Sequence, residues 1–276
     1  MKIQFSMFVV ALFICCYSGR EIAGQPQGNE RKANSAATSS EAVSTSPSPT
    51  KENEFKWRGK VAAGGIVEIF GVKGDIQAEA SAGNEVEVVA FKQGDPDELH
   101  RVAIRVEESE GKVRICTAFP NLEGVGDPQC LESLEWTSQV WNGNRELRIR
   151  YQDGKRQSIR LIDVQVQYKV RVPAGLRFTA HTLKGDITAS FGTMDISNPI
   201  DLGVLVGNVR LEVPKSLNAH VRLSAHEIAS DFPITVVGRF PGDGLEGNIG
   251  QGGTKISLRA GRDIELRRAS PAQSAQ

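Results

Sequence analysis

Leu183-Lys184-Gly185-Asp186-Ile187-Thr188-Ala189-Ser190 reads as the end of one strand, a tight bend and the start of another. Gly185 supplies the positive φ that a sharp bend needs, and Asp186 can bond neighbouring backbone amides. Ile187 then turns back into the core as the first inward side chain of an alternating stretch. The same unit stands earlier as Val72-Lys73-Gly74-Asp75-Ile76-Gln77-Ala78-Glu79. It returns as Leu205-Val206-Gly207-Asn208-Val209-Arg210-Leu211-Glu212, and in weaker form as Ala225-His226-Glu227-Ile228-Ala229-Ser230 and Gly261-Arg262-Asp263-Ile264-Glu265-Leu266. Met194-Asp195-Ile196 is a partial copy. A bend-and-strand unit returning at a period of roughly 20 residues predicts an all-β β-solenoid, single-stranded and β-helix-like, each turn stacked on the one before. A β-sandwich of successive hairpins is the alternative, because it uses the same turn chemistry.

Outward from these repeats, period-two alternation continues and no sustained helical period is found. Val164, Val166, Tyr168, Val170 and Val172 share one face of a strand, with Gln165, Gln167, Lys169 and Arg171 on the other. Leu147–Tyr151 and Ser158–Ile162 flank Gln152-Asp153-Gly154-Lys155, a hairpin signal. This places a hairpin insertion at about 117–162, between a strand-rich N-terminal part and the main run of repeats. Among the 276 residues, 33 Lys+Arg balance 33 Asp+Glu, which argues against nucleic acid or an anionic membrane as the main partner. The 28 glycines and an aromatic content of only 6% favour strands and turns over a helical bundle.

The two ends are of different composition. Residues 1–24 read as a secretory signal peptide: Lys2, then an apolar run from Phe5 to Tyr17, with cleavage expected after Ser18 or Gly24. That run is too short for a permanent transmembrane segment. A lipid anchor is not expected, since Cys15 follows Ile14 rather than a small residue. Residues 25–54 form a Ser/Thr/Pro/Ala linker with almost no large apolar side chain, expected to be disordered, as is the tail 269–276. The folded domain is expected over 55–268. After the signal, Cys116 and Cys130 are the remaining cysteines, and export predicts that they form a disulfide. Closing a loop of about 15 residues contributes about 3 kcal/mol in the chain-entropy view.

The Gly74-Asp75-Ile76 and Gly185-Asp186-Ile187 bends resemble the recurring motif of the exported bacterial "putative adhesin" domain family, a family of unknown function. Val172-Pro173-Ala174-Gly175, the Cys116…Cys130 insertion and the Gly247–Gly253 run add to the likeness, which spans about residues 57–268. The resemblance implies a β-solenoid-like fold, an exported location and no known catalytic residues. The chain departs from the pattern where His226 and Arg262 replace the bend glycine, so those two bends must avoid positive φ or carry strain.

No catalytic constellation is legible. His181, His220 and His226 alternate with apolar neighbours and are expected on outer faces, where a metal site joining His181 and His226 lacks a carboxylate at diagnostic spacing. Asp75, Asp186, Asp195 and Asp263 are expected to stabilise bends rather than bind calcium, because the dense Gly-Gly-x-Gly-x-Asp repeat is absent. The structural bend set is therefore Gly74, Asp75, Gly185, Asp186, Gly207 and Asn208, with no catalytic, cofactor or metal residues. Gly247–Gly253 precedes a strand rather than a helix, so it reads as a flexible loop crossing to the last coil, not a phosphate cradle. Trp136 and Trp141 in the insertion are the candidate ligand surface. These readings favour an exported, non-enzymatic domain in the periplasm, outer envelope or cell surface, binding an envelope protein or a glycan without a cofactor. A carbohydrate-active enzyme and an envelope sensor are the alternatives. A groove with two carboxylates within about 10 Å would favour the enzyme.

Overall fold

A computed structural model describes residues 53–120, 130, 136–142, 146–151, 156–240 and 244–270, with backbone alone across 136–159. The expected signal, the linker through residue 52 and the tail from 271 lie outside the described residues. The first strands are β1 (Glu54–Gly59), β2 (Ile66–Phe70), β3 (Ile76–Ser81), β4 (Val86–Gly94), β5 (Ala103–Ser109) and β6 (Lys112–Ala118). The insertion holds β7 (Trp136–Asn142), β8 (Glu146–Tyr151) and β9 (Arg156–Arg160). Then come β10 (Val164–Pro173), β11 (Arg177–Lys184), β12 (Ile187–Ser190), β13 (Ile200–Val206), β14 (Val209–Val213), β15 (Ala219–Ser224) and β16 (Glu227–Ser230). The chain ends through β17 (Thr235–Phe240), β18 (Gly244–Ile249), β19 (Thr254–Ala260) and β20 (Asp263–Arg268). No α-helix occurs among the described residues.

Two large mixed sheets enclose the core. One runs β1-β4-β10-β3-β12-β14-β20-β16 and the other β17-β18-β15-β19-β13-β11-β2-β6-β5. Each Gly-Asp-type bend carries the chain from the second sheet to the first, so β2–β3, β11–β12, β13–β14, β15–β16 and β19–β20 are five two-strand coils. Their neighbours are parallel in both sheets. β11 thus lies parallel to β13, not in a hairpin with it. Antiparallel strands close the stack: β4 and β1 beside β10, β5 beside β6, and β18 then β17 beside β15.

The stacking order corrects one expectation. In both sheets the last coil of the sequence, β19–β20, sits between β13–β14 and β15–β16. Turns therefore do not each stack on the preceding one. Met194-Asp195-Ile196 is also no coil: it lies in the turn between β12 and β13, and Asp195 joins no bend.

Alternation fills the interior. Ile76, Ile187, Val209 and Ile264, one per bend, lie in register beside Tyr168 and are fully buried. Burial keeps the Tyr168 hydroxyl protonated far above its ordinary range, while a 2.7 Å bond to the Thr117 hydroxyl satisfies it. The insertion leaves the core later than expected, since Ala118 and Phe119 are still buried, and Arg160 N–H donates to the Pro120 carbonyl at 3.0 Å. Its hairpin pairs Leu147 with Ile159 in a separate sheet, β7-β8-β9.

Candidate functional site

The bends form a ladder. Asp186 N–H donates to Asp75 Oδ1 at 2.8 Å, and Asn208 N–H to Asp186 Oδ1 at 2.8 Å. Asp263 N–H donates to Asn208 Oδ1 at 3.3 Å. Asp75, Asp186 and Asn208 thus each satisfy a backbone amide of the neighbouring coil, and those acceptor oxygens are used for structure. The glycines stack by the same logic: Gly74, Gly185 and Gly207 have φ of 126°, 145° and 153°. The two bends that depart from glycine are also shorter. From Val204 to Val209 four residues intervene, whereas three lie between their partners Ala260 and Ile264, so Arg262 stands in a shorter bend. The β15–β16 bend is shorter by one more.

The histidines do not converge. His181 lies on an outward row, as expected, but is not exposed: its side chain is only 13% accessible. It packs edge-on against Phe70, with ring centroids 5.2 Å apart, and its Nε2 stands 3.5 Å from Asp201 Oδ2. Burial raises the Asp201 pKa, but the His181 bond and the charges of His181 and Arg259, helped by Ser257, hold it below the ordinary value. Asp201 is the centre of that group. His220 bonds Asn248 Oδ1 at 2.9 Å and Glu246 Oε1 at 2.8 Å, tying β15 to β18. Neither joins His226. The one metal-type group among the described residues is Glu107, Cys116 and Cys130. Its two sulfurs are joined in the expected disulfide, with Cα atoms 5.8 Å apart, and so are not free thiolate ligands.

The outer face of the eight-stranded sheet carries what sequence reading missed. One row crosses it as Arg58–Glu87–Arg171–Glu79–Ser190–Glu212–Arg267. Arg58 bonds Glu87 at 3.1 Å, and Arg171 bonds Glu79 at 2.7 Å and Glu87 at 3.5 Å. Arg267 bonds Asp231 at 3.1 Å and Glu265 at 3.2 Å. Opposite charges on adjacent strands favour this pattern. It breaks at Ser190, where Glu79 and Glu212 are two strand spacings apart, roughly 9.5 Å between backbones across the sheet. They border an open depression of about 640 Å³ with Thr193, Lys215 and Ala269. A second depression, about 460 Å³, lies over Arg171. These rows are invisible in the sequence because residues far apart along the chain meet only through the register. Trp136 and Trp141 both fall on β7, and their side chains lie outside the described residues.

No family model and no curated protein matches the sequence. In structure the chain is similar to a "putative cell adhesion protein" of Clostridium sporogenes, at 10% identity and a TM-score of 0.41, over 80% of this chain and all of the other. It is similar to a "putative adhesin" of Bacteroides fragilis at 9% identity and a TM-score of 0.19, over 79% of this chain and 98% of the other. A third similar structure is a "putative lipid binding protein" of Parabacteroides distasonis, at 11% identity and a TM-score of 0.24, over 80% and 98%.

Proposed function

We propose that this chain is an exported, non-enzymatic binding domain, a solenoid-like stack that presents its broad sheet face to an envelope protein or a glycan. The observation that carries this reading is the charged row on the eight-stranded sheet, where most carboxylates are already engaged by arginines in a shallow, open surface. Such a face suits recognition by many weak polar contacts more than transition-state stabilisation, which needs preorganised groups in a water-excluded site. Export is supported by the signal-like N-terminus and by the Cys116–Cys130 disulfide. The test is retention of glycans and of envelope proteins by the immobilised chain, with Arg171→Ala and Glu212→Ala as surface variants. Retention weakened by these variants is expected, and no retention of either class overturns the reading.

One observation favours a carbohydrate-active enzyme instead: Glu79 and Glu212 flank Ser190 in a depression at a spacing within reach of a carboxylate pair. Against it, Glu79 is held by Arg171 at 2.7 Å. Release of reducing sugar from polysaccharides, lost in Glu212→Gln, would establish that second reading.

A further inference from the structure

We propose that the last coil, residues 254–268, exchanges between two copies of this chain, so that β19 and β20 of each complete the two sheets of the other. Three observations lead there. The coil is last in sequence but fourth in space, flanked by β13 and β15 in one sheet and by β14 and β16 in the other. It brings Ile256, Leu258, Ala260, Ile264 and Leu266, all buried, and pairs in parallel register on both sides. The chain reaches that slot by a short crossover. It leaves β18 on one side of β15, passes over the end of β15 and enters on the other side.

That crossover, Gly250 to Gly253, is tightly folded. Gly250, Gly252 and Gly253 have φ of 60°, 76° and 138°. Gln251 N–H donates to Asn218 Oδ1 at 3.0 Å, and Gly252 N–H to the Ile249 carbonyl at 3.1 Å. A Cβ at Gly250 would lie 2.1 Å from Asn218 Oδ1. Short, constrained hinges favour domain exchange, because the open hinge relaxes while the exchanged element regains its native contacts. With the coil withdrawn, each sheet is left with a slot one strand wide, shaped for this pattern of Ile and Leu. The same segment of a second copy fills both slots in register and closes a two-fold dimer.

The experiment mixes a chain carrying Arg210→Cys with one carrying Glu265→Cys, two exposed positions paired across β14 and β20. The pair is denatured and refolded together without reductant over a range of concentrations, then oxidised with diamide. The expected product is a covalent dimer in which mass spectrometry finds the residue-210 peptide linked to the residue-265 peptide, its fraction rising with concentration. Lengthening the crossover by four Gly/Ser residues is expected to lower the dimer fraction about tenfold, since a longer loop lets the coil close on its own chain. Absence of the mixed link, while a chain carrying both Arg210→Cys and Glu265→Cys closes that disulfide within itself, overturns the proposal. So does a dimer indifferent to crossover length, or a single monomeric mass by light scattering of the unsubstituted chain refolded at every concentration. None of these readouts involves glycan or envelope binding, so the proposal stands or falls apart from the function proposed above.

Discussion

A methyl group on Gly207 would sit 1.8 Å from the Gly185 carbonyl oxygen, and one on Gly185 would sit 2.2 Å from that of Gly74. At both bends the left-handed backbone and the close approach of the next coil act together. Gly207→Ala and Gly185→Ala are therefore expected to destabilise by about 2–4 kcal/mol. Gly175 has a φ of 84° but no heavy atom within 4 Å of the Cβ that alanine would add, so Gly175→Ala is expected to cost only about 1 kcal/mol. Urea unfolding of the three variants checks this, and equal losses would remove the stacking argument. The Asx ladder makes a sharper distinction. Asp186 acts through an oxygen that accepts from Asn208, which Asn also offers, so Asp186→Asn is expected to be near neutral and Asp186→Ala to cost about 1 kcal/mol. Calcium is expected to leave the melting temperature unchanged in all of these proteins. Here the sequence was informative: Gly and Asx at the bends are demanded by backbone geometry, which residue type reports directly.

Among elements, the attachment of the β17–β18 hairpin to β15 is expected to depend on pH. Its bonds to His220 from Asn248 and then Glu246 raise the His220 pKa, against burial and against the neighbouring Lys255 on β19. A raised folded pKa means that the contribution is fully present below the unfolded value of about 6.5 and is lost as pH rises through the higher folded value. Amide exchange in β18 is expected to quicken over that upper window, after correction for intrinsic rates, and His220→Gln should flatten the change. An unchanged profile in the variant would show that another group governs the hairpin. The disulfide is a second element-scale constraint: Cys116→Ser with Cys130→Ser is expected to lower stability by about 3 kcal/mol in urea unfolding. Strand identity was legible at this scale because alternation is local, as in β10, where Val164, Val166, Tyr168, Val170 and Val172 are all buried. The burial of His181 was not, because its neighbour Phe70 comes from a strand more than a hundred residues earlier.

Across the whole molecule, the repeats foretold the bends that join the two sheets but not the order of the strands within them. Local bend chemistry is the same wherever a coil stacks, so nothing in Gly261–Leu266 signals that its coil enters between two others. The ion-paired row is hidden for the same reason, since register joins Arg58, Glu87, Arg171 and Glu79 from four strands. This order has a consequence for stability. Residues near a chain end ordinarily open first, yet β19 and β20 have strand partners on both sides and bury Ile256, Leu258, Ile264 and Leu266 almost completely. The outermost strands β1, β5, β16 and β17 have a partner on one side only, and β17 exposes Val236 and Val237. Hydrogen exchange is therefore expected to be slow in β19 and β20, at a level near global unfolding, and faster in β17 and β16 despite their earlier place in sequence. If the last coil instead exchanges as quickly as the edge strands, it opens without global unfolding, and the two sheets must hold together with an empty slot between β13–β14 and β15–β16.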